Sequence, residues 1–145
     1  MPLRDPAFYA DSKIDLRLGA EAVALDLAAK TVRTANGQVL GYDVLVLATG
    51  AEPQRPPIPG LDAPNAYVLR TLKDADAIIR AADKAKRAAV IGASFIGLET
   101  AAALRQRGLE THVIAPEAVP LARVMGRDVG DWIRRVHESH GVVFH

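Results

Sequence analysis

The chain has 145 residues, of which 50% are hydrophobic and 24% charged, a balance typical of a globular domain rather than of a disordered or fibrous protein. Its 18 basic and 17 acidic side chains give a net charge of +1 without long blocks of like charge, so neither nucleic acid nor a membrane surface is an expected partner. Cysteine is absent, which excludes disulfides, thiolate zinc sites and a redox-active cysteine pair within the chain. Without a signal sequence or a long apolar stretch, the expected compartment is the cytoplasm.

The first fifty residues read as short strands joined by turns. Strands are expected at residues 14–18, 22–26, 31–34 and 38–40, with Asn36-Gly37 as a turn, and they predict a small antiparallel β-meander. Residues 44–48 are apolar without alternation, which is typical of a strand buried on both faces of a parallel sheet.

A stiff connector follows this strand. Four of the seven positions 53–59 are proline, and proline fixes φ and cannot continue a strand ladder. We therefore expect a domain boundary there, with residues 1–52 before the connector 53–60 and residues 61–145 after it.

The remaining sequence predicts alternating helices and strands. Thr71 and Asp74 form a capping pattern at the start of a helix over 71–86. A strand over 88–91, a helix over 95–107 and a strand over 111–115 form a βαβ unit, followed by a loop over 116–127, a helix over 128–140 and a strand over 142–144. The predicted fold is α/β, a Rossmann-like parallel sheet with a βαβ unit plus the meander. We also expect the meander and strand 44–48 to dock beside strand 88–91 and complete one sheet in permuted order.

The strongest local signal is a glycine-rich turn between the predicted strand and helix of that unit. Gly92 and Gly97 occupy the first and third positions of a G-x-G-x-x-G pattern, and Ser94 replaces the middle glycine. Such turns bind a dinucleotide diphosphate at the helix N-terminus, although glycine turns also occur for packing alone. We expect the cofactor to contact the turn residues Gly92, Ala93, Ser94, Phe95, Ile96 and Gly97.

An acidic residue follows at the distance that dinucleotide-binding folds use. Glu117 lies 20 positions after Gly97 and can accept a hydrogen bond from a ribose hydroxyl; the alternative is a solvated loop carboxylate. Arg123 and Arg127 follow it and can meet a phosphate. NAD is therefore favoured and NADP is left open.

The order of motifs resembles the FAD-dependent pyridine nucleotide-disulfide oxidoreductases. Within them it is most similar to ferredoxin, rubredoxin and putidaredoxin reductases and to the apoptosis-inducing-factor-like branch. The segments that carry the resemblance are YDVLVLATG at 42–50, PPIPG at 56–60, LRTLKDA at 69–75 and VIGASFIGLE at 90–99.

The resemblance implies roles for particular residues. It places FAD against Ala48, Thr49 and Gly50 and beside Arg70, with residues 1–52 ending in the last strand of the FAD domain. It places Glu99 near the nicotinamide, although a carboxylate there also simply favours the helix dipole. The Pro-Glu pair with a basic residue six positions on, Glu117 and Arg123, resembles the arrangement of the apoptosis-inducing-factor-like proteins.

The family's FAD-binding glycine fingerprint does not occur in the 145 residues, so we expect a fragment centred on a truncated NAD(P)-binding domain. The leading hypothesis is a parent reductase that passes hydride from NADH to FAD and electrons to a ferredoxin, a Rieske protein, a rubredoxin or a nitrite-reducing partner. The alternative is a nucleotide-binding or interaction module without turnover. No catalytic acid or base is named, and metal binding by His137 and His140 is not favoured because no third ligand is spaced with them. Trp132 is expected to pack against the rest of the domain.

Overall fold

A computed structural model of the protein describes residues 4–145. The chain forms two compact units, Met1–Gly50 and Ala51–His145, and each is described by itself. Across the described residues no helix is both long and apolar enough to cross a membrane.

The first unit contains the predicted meander and one helix that was not predicted. Strands β1 (Ala22–Asp26), β2 (Thr31–Thr34) and β3 (Val39–Gly41) form an antiparallel sheet in the order β1-β2-β3. Helix α1 (Pro6–Asp11) precedes them. Its start carries a readable signal, because the Asp5 side chain accepts a hydrogen bond from the Phe8 N–H at 3.0 Å and proline occupies the first turn.

The strand predicted at 14–18 is wrong. Lys13 has a positive φ of 56°, and the Asp15 carboxylate pairs with Arg17 only two residues away at 2.7 Å. Leu18, 83% exposed, begins a turn. Residues 14–17 have no regular secondary structure and pair with no strand of residues 4–145.

The strand predicted at 44–48 is also absent from the described part of the chain. Val44, Val46 and Leu47 are 82%, 80% and 67% exposed, and their segment pairs with no strand in residues 4–145. A central strand needs hydrogen bonds from a neighbouring strand on each side. Residues 44–48 have no such neighbour among residues 4–145, so they do not form a strand there.

The second unit has the predicted α/β order with one additional short helix. Its elements are α2 (Leu72–Ala82), β4 (Arg87–Ile91), α3 (Phe95–Gln106), β5 (Glu110–Ile114), α4 (Ala122–Met125), α5 (Arg127–Ser139) and β6 (Val142–Phe144). The strands form a parallel sheet in the order β4-β5-β6, with Arg87 opposite Glu110 and Thr111 opposite Val142. The Rossmann-like α/β fold is thus confirmed.

Two details of this unit differ from the prediction. Helix α2 ends at Ala82 rather than at residue 86, and beyond it the N–H groups of Lys84 and Ala85 bond to the Ala81 and Ala82 carbonyls, three residues back instead of four. Helix α4 lies within the predicted loop, and its N-cap is Leu121, a buried residue with a positive φ of 56°. Such a turn is unusual for leucine, so the sequence gives no sign of it.

One face of the parallel sheet packs on the helices. Thr111 and Val113 of β5 and Ala101 of α3 are fully buried there. On the opposite face Ile91, Ile114 and Val143 are 49%, 44% and 42% exposed, as the two-residue period of a strand requires.

The expected single permuted sheet is wrong, since the six strands of residues 4–145 form two separate three-stranded sheets. The expected packing of Trp132 is also wrong, because that side chain is 60% exposed on α5.

Candidate functional site

The glycine turn joins the carboxyl end of β4 to the N-terminus of α3. Gly92 has a φ of +102°, a conformation that L side chains rarely adopt, and its N–H donates to the Ile114 carbonyl of β5 at 2.8 Å. The turn is therefore anchored to the sheet at its first residue, and glycine is required there for the backbone geometry.

Gly97 lets α3 approach this turn. A Cβ on Gly97 would overlap the Gly92 carbonyl oxygen and lie 3.1 Å from its carbonyl carbon and 3.6 Å from Val90 Cγ1. The helix backbone thus lies directly on the turn and on β4, which is the contact that the third glycine of the pattern permits.

Ser94 is the N-cap of α3, with extended φ and ψ of −80° and 177°. Its hydroxyl makes no capping hydrogen bond, and the first helical bond of α3 runs from the Leu98 N–H to the Ser94 carbonyl at 2.9 Å. Within residues 4–145, the N–H groups of Phe95, Ile96 and Gly97 have no hydrogen-bond acceptor. Three free amides and the positive end of the helix dipole can bind an anion, and a serine hydroxyl adds a further donor.

A cavity of about 260 Å³ extends from this turn to the loop that follows β5. Ala93 of the turn and Glu117 of the loop both line it, so two of the residues predicted to contact the cofactor share one cavity. The remaining lining residues are Ala115, Pro116, Ala118, Pro120, Arg134, Phe144 and His145. The Glu117 side chain is exposed, as access by a ligand requires.

Arg134 is a cavity residue that sequence reasoning missed. It lies on α5, 17 positions beyond Glu117, and its Nη1 donates to the Ala118 carbonyl at 3.1 Å. In the sequence it is one of two adjacent arginines on a helix, and nothing distinguishes it from Arg135.

The other predicted contact residues lie elsewhere. Glu99 is exposed on α3, and Arg123 is exposed in the last turn of α4 and does not line the cavity. Ala48, Thr49 and Gly50 are exposed at the end of the first unit.

Arg70 has contacts of its own next to the start of α2. Its Nε donates to the Ala51 carbonyl at 2.9 Å, and its backbone N–H donates to Asp74 at 3.1 Å. Thr71 donates to the same carboxylate from its N–H at 2.8 Å and from its hydroxyl at 2.8 Å. These hydrogen bonds to the charged form lower the pKa of Asp74 below its ordinary value of 3.8. The predicted capping pattern is thus present and complete.

His137 in α5 and His140 at its C-cap both contact main-chain carbonyls. His137 Nδ1 lies 3.0 Å from the Ile133 carbonyl, and His140 Nδ1 lies 2.8 Å from the Val136 carbonyl. In residues 4–145 no group of three or more His, Cys, Asp or Glu residues is arranged to hold a metal ion.

Comparison with known proteins gives the family. Residues 7–145 match the family described as pyridine nucleotide-disulphide oxidoreductase. The chain belongs to this family. The resemblance found from the motifs is thereby confirmed.

Relatives in this family include several reductases. The chain is 38% identical over 138 residues to the nitrite reductase (NADH) large subunit of Escherichia coli K12, covering 95% of the chain and 16% of the relative. It is 40% identical over 142 residues to the anthranilate 1,2-dioxygenase system ferredoxin–NAD(+) reductase component of Burkholderia cepacia, covering 98% of the chain and 35% of the relative.

A solved structure with the same fold is the ferredoxin reductase for the CYP199A2 system from Rhodopseudomonas palustris. Its TM-score is 0.87 at 32% identity, and the match covers 100% of this chain and 36% of that one. The chain spans about a third or less of the length of these relatives.

Proposed function

We propose that the chain is the NAD(P)H-binding portion of a flavoprotein reductase. The observation that carries the proposal is the set of free N–H groups in the first turn of α3. This helix follows directly after the turn in which Gly92 has a positive φ. A diphosphate carries several oxygen atoms that accept hydrogen bonds, and several free N–H groups at one helix N-terminus can donate to them. The proposed contacts are those of residues 92–97, with the hydroxyl of Ser94 as an extra donor.

The cavity beside the turn supports the orientation of the coenzyme. Ala93 and Glu117 line the same cavity, and in the proposed orientation the diphosphate meets the turn while the adenosine ribose enters the cavity. We assign Glu117 as the acceptor for the ribose hydroxyls. NADPH carries a phosphate in place of one hydroxyl, and like-charge repulsion by Glu117 disfavours it, so NADH is the proposed coenzyme. Arg123 is the proposed basic neighbour of Glu117, a role that the resemblance supports and the lining of the cavity does not include.

The flavin side of the proposal rests on the family and on the free segment of the first unit. Val44, Val46 and Leu47 form an apolar run with no strand partner among residues 4–145, which suits a strand completed by a further part of the parent protein. We assign residues 1–52 to the edge of an FAD domain, residues 53–60 to a connector and residues 61–145 to the NAD(P)-binding domain. Ala48, Thr49, Gly50 and Arg70 are then the proposed FAD contacts, and Glu99 the residue near the nicotinamide.

The coenzymes supply the redox chemistry of such a reductase, in which hydride passes from NADH to FAD and single electrons then pass to an iron–sulfur acceptor. The part of this chain is to bind and orient the nicotinamide coenzyme. The names of the relatives support a small iron–sulfur protein or a nitrite-reducing partner as the acceptor.

Isothermal titration of the chain with NADH, NADPH and ADP-ribose tests the proposal. We expect NADH and ADP-ribose to bind with similar affinity, because the diphosphate and the adenosine ribose carry the contacts. Glu117→Ala should weaken NADH binding about tenfold or more, since a hydrogen bond to a charged group contributes about 1.5–3 kcal/mol, and should weaken NADPH binding less.

The control is Glu21→Gln, which removes an exposed carboxylate from the first unit and should leave both affinities unchanged. Equal losses for NADH and NADPH in Glu117→Ala would remove Glu117 as the ribose acceptor. Absence of NADH binding by the folded wild-type chain would contradict the proposed function and favour a module without turnover.

A further inference from the structure

Helix α5 contacts the loop that carries Glu117 at two points. The loop, residues 116–121, joins β5 to α4, and Arg134 of α5 donates to its Ala118 carbonyl at 3.1 Å. One helical turn earlier, a Cβ on Gly130 would overlap the Pro120 carbonyl oxygen and lie 3.1 Å from Val119 Cγ2. Positions four apart share one face of a helix, so a single face of α5 holds the loop.

The guanidinium of Arg134 is itself fixed by two further contacts. Its Nε donates to Glu138 Oε1 at 2.8 Å, and its central carbon lies 5.5 Å from the centroid of the Phe144 ring. A planar guanidinium with an ion pair, a ring and a carbonyl as neighbours has little freedom left. Arg134 therefore links the backbone of the loop to α5 and β6.

The two halves of the loop differ in how they are held. Val119 and Pro120 are buried, whereas Glu117 and Ala118 are exposed. In the exposed half, the hydrogen bond from Arg134 to the Ala118 carbonyl connects the loop to α5, one residue from Glu117. Without that hydrogen bond, ordering Glu117 on a ligand would cost conformational entropy and weaken binding.

We propose that Arg134 is a positioning residue that preorganises Glu117 for the coenzyme ribose, acting through the Ala118 carbonyl. The proposal rests on the proposed function, in which Glu117 accepts from that ribose. A positioning role and a direct contact between Arg134 and a coenzyme phosphate predict opposite changes in the preference for NADH over NADPH. Loss of a positioning residue acts through Glu117 and weakens NADH more than NADPH, whereas loss of a phosphate contact weakens NADPH more.

The test compares Arg134→Gln with Arg135→Gln, a matched control that removes the same charge from an exposed neighbour on the same helix. Titration should show roughly three- to tenfold weaker NADH binding for Arg134→Gln, a smaller change for NADPH and no change for Arg135→Gln. The double variant Glu117→Ala with Arg134→Gln should bind NADH no more weakly than Glu117→Ala alone, because Arg134 acts through Glu117. Arg134→Lys, which keeps a cation and N–H donors but not the planar guanidinium, should recover part of the loss.

The backbone order parameters of residues 117–119, measured by NMR relaxation, give a readout that needs no coenzyme. They should be lower in Arg134→Gln than in the wild-type chain or in Arg135→Gln, because the variant loses the contact with the Ala118 carbonyl. Unchanged order parameters, additive losses in the double variant, or a greater loss for NADPH would overturn the proposal while leaving NADH binding by the wild-type chain intact. Failure of the wild-type chain to bind NADH would instead overturn the proposed function, and the role of Arg134 in it would fall as well.

Discussion

Replacing Gly97 by alanine measures how closely α3 approaches the glycine turn. Alanine is intrinsically favoured over glycine in a helix interior by about 1 kcal/mol, which is an upper bound for Gly97 in the first turn of α3. Against this, the new Cβ would overlap the Gly92 carbonyl oxygen and lie 3.1 Å from the carbonyl carbon. Both are backbone atoms of an anchored turn, so the strain belongs at the upper end of the roughly 1–3 kcal/mol typical of overpacking. We expect a net loss of about 2 kcal/mol in the free energy of unfolding.

Urea unfolding provides the assay. Trp132 is the single tryptophan of the chain and lies in the same unit as Gly97, so its fluorescence reports on that unit, and far-UV circular dichroism follows the secondary structure of the whole chain. Ala103→Gly, at an exposed position of α3, measures only the difference in helix propensity between alanine and glycine. This variant should lose about 1 kcal/mol of the free energy of unfolding. Gly41→Ala adds a Cβ with no atom within 4 Å and should leave the Trp132 transition unchanged.

Coenzyme binding completes this experiment. If α3 shifts to admit the new methyl group, the N–H groups of Phe95 and Ile96 move with it, and NADH should bind more weakly to Gly97→Ala. A variant that is more stable than the wild-type chain by the propensity term of about 1 kcal/mol would refute the close approach of α3 to the turn.

Two other predictions follow from contacts in the second unit. Because hydrogen bonds from Thr71 lower the pKa of Asp74 below 3.8, Asp74 stabilises the native state above that pH, and this contribution is lost as the pH falls through the lowered value. Asp74→Asn should therefore make the free energy of unfolding depend less on pH below about pH 4, as measured by circular dichroism. Asp76→Asn, at an exposed position of the same helix, should leave that dependence unchanged. Equal profiles for both variants would contradict the assignment. Gly130→Ala should destabilise the unit and lower the NMR order parameters of residues 117–119, because its Cβ would overlap the Pro120 carbonyl oxygen. A stabilised variant with an unchanged loop would refute that packing.

The elements that the sequence predicted well are those with local causes. Helix α2 carries its own start signal at Thr71, and β4, α3 and β5 follow from apolar periodicity around a glycine turn. Helix α1 carries the same kind of local signal in Asp5 and Pro6, although it is not among the predicted elements.

The errors concern features that depend on distant partners. Whether 44–48 forms a strand depends on neighbours that supply hydrogen bonds, and whether Trp132 is buried depends on what packs against α5. An apolar pattern shows that a segment can be buried, but the pattern does not identify what covers it.

The same distinction holds for the candidate site. Gly92 and Gly97 can be recognised in the sequence because each position requires glycine. Gly92 has a positive φ, and Gly97 lies against the backbone of the same turn. Arg134 is visible only after folding, because its link to the Ala118 carbonyl joins α5 to a loop 16 residues earlier in the chain. Local backbone chemistry is thus encoded by neighbouring residues, whereas the geometry around Glu117 depends on which helix packs against its loop.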